Sequence, residues 1–157
     1  MTNSFTRTKG QFTVSTDKSR LDIAMLHNFL SHSYWAKNIP LAIVQKSIAN
    51  SLCFGVYDER ADNGPRQIGF ARIVSDLATF AHMADIFIIE AHRGQGLGKW
   101  LVECIMAHPD LQGLRSFMLA TRDAHGLYEQ FGFERTESLE EARNLMYIRR
   151  PNIYGTS

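Results

Sequence analysis

The chain predicts a mixed α/β (α+β) fold, in which one mostly antiparallel sheet carries helices on both faces. Apolar runs with strand-like alternation crowd the middle of the sequence and are joined by short turns. Amphipathic stretches of helical period lie on either side of them. One strand–helix–strand passage, residues 80–119, requires a right-handed parallel crossover in a sheet otherwise built from hairpins. With 157 residues, 45% hydrophobic and 21% charged, the sequence fits one globular domain over residues 1–157 with a full apolar core.

The elements follow in the order β-α-α-β-β-β-α-β-α-β-β. Residues 1–10 are polar and are expected to be flexible, and residues 11–16, with Phe12 and Val14, read as an edge strand. Ser19 to Asp22 resembles a capping box. Leu21, Met25 and Phe29 then recur every four residues, giving a helix to about Leu30. A connection carrying Tyr34 and Trp35 leads to Pro40, which suits the first turn of a second helix with Leu41, Val44 and Ile48 on one face. Strands follow at residues 52–57, 67–74 and 80–89, the first two separated by the turn signal Asp62-Asn63-Gly64-Pro65. A third helix opens at Leu97 with Leu101 and Ile105 on the same face, and Pro109 stops it. Phe117-Met118-Leu119 is a short buried strand, and residues 124–131 form a helix with Asp123 as its cap. Final strands are expected from Phe133 and over residues 145–148.

A net charge of +1 and the lack of any long basic run argue against a nucleic-acid partner. Residues 1–11 lack the apolar core of a signal peptide, and no apolar run reaches transmembrane length, so no membrane association is expected. Cys53 and Cys104 sit in apolar patterns and form no C-x-x-C, which fits buried free thiols and a cytoplasmic location. The histidines show no metal-ligand spacing, so no metal is expected.

The segment His92-Arg93-Gly94-Gln95-Gly96-Leu97-Gly98-Lys99 carries the chemistry. It joins the apolar run Ile86-Phe87-Ile88-Ile89 to an amphipathic helix. Strand, glycine-rich turn and helix N-terminus in that order offer an anion a row of outward N–H groups, helped by the helix dipole. Walker A fails because Arg93 stands where its first glycine belongs and Trp100 follows Lys99. The dinucleotide pattern G-x-G-x-x-G fails because Lys99 or Leu101 falls on its third glycine. The pattern that fits is R-x-x-G-x-G at Arg93, Gly96 and Gly98.

That loop resembles the acyl-CoA pyrophosphate loop of the GNAT superfamily of N-acyltransferases. Residues 121–133, T-R-D-A-H-G-L-Y-E-Q-F-G-F, resemble the family's second motif at Ala124, Leu127, Tyr128, Gly132 and Phe133. The element order is similar to the family fold across about residues 11–149. Ser33-Tyr34-Trp35 together with Asp123-Ala124-His125-Gly126 is similar to a subgroup of small bacterial GNAT enzymes.

The resemblance implies an N-acetyltransferase that moves an acetyl group from acetyl-CoA to a primary amine by direct attack in a ternary complex. Its acceptor would be a small molecule or a peptide amine, and a homodimer is compatible with the family. It also implies that the backbone around Ile86, Phe87 and Ile88 receives the pantetheine arm and that residues 93–99 hold the pyrophosphate. Tyr128 matches the family tyrosine aimed at the CoA sulfur; periodicity alone would make it a core aromatic. The base stays open. The family glutamate aligns with Ala84 in polyamine-acetylating relatives and with His82 in histone-acetylating ones. Asp85, a carboxylate in an apolar run, is a second candidate if a bulge re-aims it, or else a partner of Arg72. Tyr34 and Trp35 would form a wall of the acceptor site or pin their connection to the core, and His125 would orient Tyr128 or touch the acceptor. Two rivals remain: a non-catalytic CoA-binding or regulatory domain, and a protein lysine or N-terminal acetyltransferase.

Overall fold

The structure, a computed structural model, describes residues 4–155. Six strands form one sheet in sequence order: β1 (Thr6–Lys9), β2 (Phe12–Ser15), β3 (Leu52–Asp58), β4 (Arg66–Ser75), β5 (Phe80–Ile88) and β6 (Ser116–Leu119). Every pairing is antiparallel except β5–β6, which is parallel, as the crossover through the third helix requires. Helices α1 (Ile23–Ser31) and α2 (Leu41–Ala49) cover one face, and α3 (Leu97–Met106) covers the other. A short α4 (His125–Glu129) follows β6.

Two cores result. On the α3 face Leu97, Leu101 and Ile105 pack on Val56, Ile68, Ile73 and Met83. On the opposite face Leu26, Leu30, Val44 and Ile48 pack on Cys53, Phe70 and Phe87. The expected stripes of α3 and of Val44 and Ile48 in α2 are buried, but Leu41 is exposed. In α1 the buried residues are Leu26 and Leu30, while Leu21, Met25 and Phe29 are only partly covered.

Several boundaries differ from expectation. Residues 6–9 form a strand not expected from the sequence: β1 pairs with β2 around a two-residue turn at Gly10, whose φ is +59°, so β2 is an inner strand and β1 the edge. The sequence T-R-T-K hides this because every β1 side chain is exposed and no alternation is needed. Residues 1–3 lie outside the described residues. Helix α1 starts after Asp22, whose carboxylate accepts from the Met25 N–H, and not at a Ser19 box. Ser19 instead belongs to a 3₁₀ turn capped by Asp17. Asp123 does not cap α4: its N-cap is Ala124, held by the Thr121 hydroxyl, and the helix ends at Glu129, two residues short of Phe131.

The two strands expected after α4 are absent. Phe133 meets its apolar need through edge-to-face packing on Phe117 and Tyr128. The polar tract that follows winds into 3₁₀ turns at Thr136–Ser138 and Glu140–Asn144, with no hairpin turn signal to set a register. Residues 145–148 stay exposed and unladdered.

Candidate functional site

The site grows from the way β5 parts from its neighbours. Its first residues, Phe80 to Met83, pair with β6 as far as Leu119, where β6 ends. Residues 84–88 continue beyond it and keep that edge open. On its other edge β5 pairs with β4 through a bulge. Phe70 faces Phe87 and Arg72 faces Ala84, so two residues, Asp85 and Ile86, stand opposite Ala71. Asp85 takes φ +49°, a left-handed value costly for a side chain with a Cβ.

The bulge puts Ala84 and Asp85 on the same face, the α1–α2 side that His82 also faces. Ile86 and Ile88 return to the α3 core, while the Phe87 ring lies on the other side, stacked on Phe29 with centroids 3.6 Å apart.

The glycine loop lies just beyond. Gly94 and Gly96 adopt φ +81° and +78°, and a Cβ built on Gly94, Gly96 or Gly98 would meet nothing within 4 Å. Among the described residues no protein acceptor receives the N–H groups of residues 94–99, the first helical amide bond being Trp100 to Gly96. Six free amides at a helix start suit a diphosphate. Arg93 joins loop and strand through Nε donating to the Ile88 carbonyl at 2.9 Å.

A cleft of about 1170 Å³ runs from this loop along the open edge of β5 to the α1–α2 connection. Its lining includes Tyr128, His82, Asp85, Tyr34 and Trp35, so one cavity gathers most residues singled out from the sequence. His125, Gln95 and Lys99 are not among its lining residues. Tyr128 is 6% exposed, and burial, with Tyr34 adding to it, raises its phenol above the ordinary tyrosine value. It stays a proton donor at neutral pH. His82 shifts the other way: burial, then the Arg72 charge, lowers its imidazole below the ordinary histidine value against the pull of Asp85.

Asp85 is fully engaged. Its Oδ2 accepts from Arg72 Nε at 2.8 Å and its Oδ1 from the Trp35 indole N–H at 2.8 Å. Arg72 also donates to the Ser51 hydroxyl at 3.2 Å. Tyr34 packs edge-on to Trp35 and carries the Arg122 guanidinium on its face at 3.6 Å. The Arg72–Asp85 pairing was one of the alternatives the sequence left open; the Trp35 bond, Arg122, and the tail residues Arg149 and Tyr154 that also line the cleft had no legible signal beyond their residue types.

Among the described residues no group of three or more His, Cys, Asp or Glu could hold a metal ion, and no helix is long and apolar enough to cross a membrane. Burial raises both free thiols, Cys53 and Cys104, to about 11, which leaves almost no thiolate at neutral pH.

Comparison with known proteins agrees with this arrangement. The family model described as an acetyltransferase (GNAT) domain matches residues 49–135. A protein of the fungus Gibberella zeae whose name assigns it to the acetyltransferases is 31% identical over 139 residues, 77% of each chain. A crystal structure of a GNAT-family protein from Xanthomonas campestris pv. campestris superposes with a TM-score of 0.84 at 50% identity, covering 92% of this chain and 97% of that one. A GNAT-family acetyltransferase from Elizabethkingia anophelis, solved with acetyl-CoA bound, shares the fold with a TM-score of 0.55 at 14% identity, covering 80% of this chain and 78% of that one. The chain belongs to the GNAT family of acetyltransferases.

Proposed function

We propose that the protein transfers an acetyl group from acetyl-CoA to a primary amine by direct attack within a ternary complex, in a reducing cytoplasm. The observation that carries this is the row of unpaired amides at residues 94–99 running on to the open edge of β5. The loop holds the pyrophosphate, and the backbone of residues 86–88 receives the pantetheine arm.

Acyl transfer to an amine needs a neutral nucleophile and a protonated leaving group. The amine nitrogen forms a bond to the acetyl carbonyl carbon, and the carbon–sulfur bond breaks. His82 takes the amine proton, for which its lowered value keeps the ring neutral near pH 7. Tyr128 gives its phenolic proton to the departing thiolate and recovers one from solvent. Cys104, buried and protonated in α3, is no acyl carrier, which favours direct attack over a covalent enzyme intermediate. Tyr34 and Trp35 form the acceptor wall, whose ring faces suit an apolar or cationic group beside the reacting amine.

Thiol release from acetyl-CoA, measured over a panel of small amines and lysine-bearing peptides, tests this reading. The expected result is saturable release that depends on the amine. Tight acetyl-CoA binding with no amine-dependent release would overturn it in favour of a CoA-binding regulatory domain. Release with peptides alone would move the acceptor class to proteins.

A further inference from the structure

A carboxylate in the acceptor cleft of an N-acetyltransferase invites the role of base, yet the surroundings of Asp85 assign it another. Each oxygen already accepts a short hydrogen bond, from Arg72 Nε and from the Trp35 indole, both at 2.8 Å. The charges are matched, since the Arg72 and Asp85 side chains are 19% and 10% exposed and pair directly. With both oxygens committed to N–H donors of the protein, the carboxylate is held in place rather than offered to a substrate amine.

What Asp85 holds is as informative as what holds it. Trp35 lies in the connection between α1 and α2, a stretch without regular structure, and is 42% exposed. Its ring lies on Tyr34 at 5.1 Å and near Phe29 at 6.2 Å, and its one polar atom is spent on Asp85. Arg122, from the loop after β6, stacks on the ring of Tyr34. A chain of contacts thus runs from Ser51 through Arg72, Asp85, Trp35 and Tyr34 to Arg122, across five segments of the fold. The left-handed backbone at Asp85 is the strained step that turns its carboxylate toward the indole.

We propose that Asp85 is a positioning residue: through Arg72 and the β5 bulge it fixes the Trp35 indole, and with it the aromatic wall against which the acceptor amine is seated. This rests on the acetyl-transfer reading of the cleft. The wall selects an acceptor by the shape and charge of the group beside its amine, and Asp85 contributes to acceptor affinity without accepting the reacting proton.

The test combines an optical and a kinetic readout. Trp35 emission is taken as the difference between each protein and its Trp35→Phe counterpart, which cancels the buried Trp100. In Asp85→Ala this emission should move to the red and become more open to acrylamide quenching, and Asp85→Asn, which keeps an acceptor oxygen, should restore much of it. The acceptor KM should rise about tenfold in Asp85→Ala and less in Asp85→Asn, as one lost charge-assisted hydrogen bond implies. The effects of Asp85→Ala and Trp35→Phe on KM should not add, because each breaks the same contact. Unchanged Trp35 emission in Asp85→Ala overturns the proposal. So does an Asp85→Asn protein with unaltered acceptor KM but a collapsed kcat and a lost pH limb, the signature of a base. The emission is read without turnover, so a protein that acetylates no amine would defeat the acetyl-transfer reading while still reporting whether Asp85 holds Trp35. Should Asp85→Ala fail to fold, the isosteric Asp85→Asn and the Trp35→Phe protein carry the same comparison.

Discussion

The two halves of β5 obey different rules. From Ala81 to Met83 the strand is laddered on both edges and alternates cleanly, Ala81 and Met83 entering the α3 core. From Ala84 to Ile88 it is bulged on one edge, open on the other, and bears a non-glycine residue at positive φ. The first half builds the sheet. The second half gives up ladder bonds on one edge and leaves main-chain groups exposed to the cleft, where on the proposed reading the coenzyme's arm takes them up.

Substitutions can break that contrast from either side. The largest effect is expected at the proposed acid: Tyr128→Phe should lower kcat by about 10²-fold or more, with the KM for acetyl-CoA nearly unchanged, in steady-state assays. Next comes the loop. Gly96→Val forces a branched side chain into a left-handed position and into the cradle, and should raise the KM for acetyl-CoA by roughly 30- to 100-fold. His82→Ala should cost about tenfold in kcat/KM. In the parent protein the rate should rise with pH through a value below the ordinary histidine one, because the ring must lose its proton to act and burial lowers the pH at which it does. The variant should lack that limb. The smallest effect belongs to the laddered half: Ile73→Val, opposite Met83 and fully buried, should cost about 1 kcal/mol in chemical denaturation and leave both KM values in place.

The sequence revealed these regions unequally. The strands and helices that bury one apolar stripe were legible within a residue or two, because Leu97, Leu101 and Ile105, or Val44 and Ile48, must repeat at helical period to reach a core. The glycine loop was legible too, since its residue types are dictated by backbone shape. Strand β1 was not, because an exposed edge hairpin imposes no pattern. The reverse error came at residues 145–148, where an apolar run suggested a strand that the fold leaves unpaired. Within the cleft, the bulge was only foreseeable as one resolution of a carboxylate in an apolar run. Its partner Arg72 was one candidate among several. The indole bond to Trp35, fifty residues away in sequence, depends on a packing geometry that no local signal encodes.

The Arg93 bond to the Ile88 carbonyl has a mechanical side as well. It ties the turn to the free end of the strand and so fixes the spacing between the two. On the proposed reading, a coenzyme gripped there by its diphosphate would be gauged along a ruler of fixed length, and its far end would arrive at a set mark. A shortened donor lacking the nucleotide would lose this registration, and its penalty would fall on the speed of the reaction as much as on its grip.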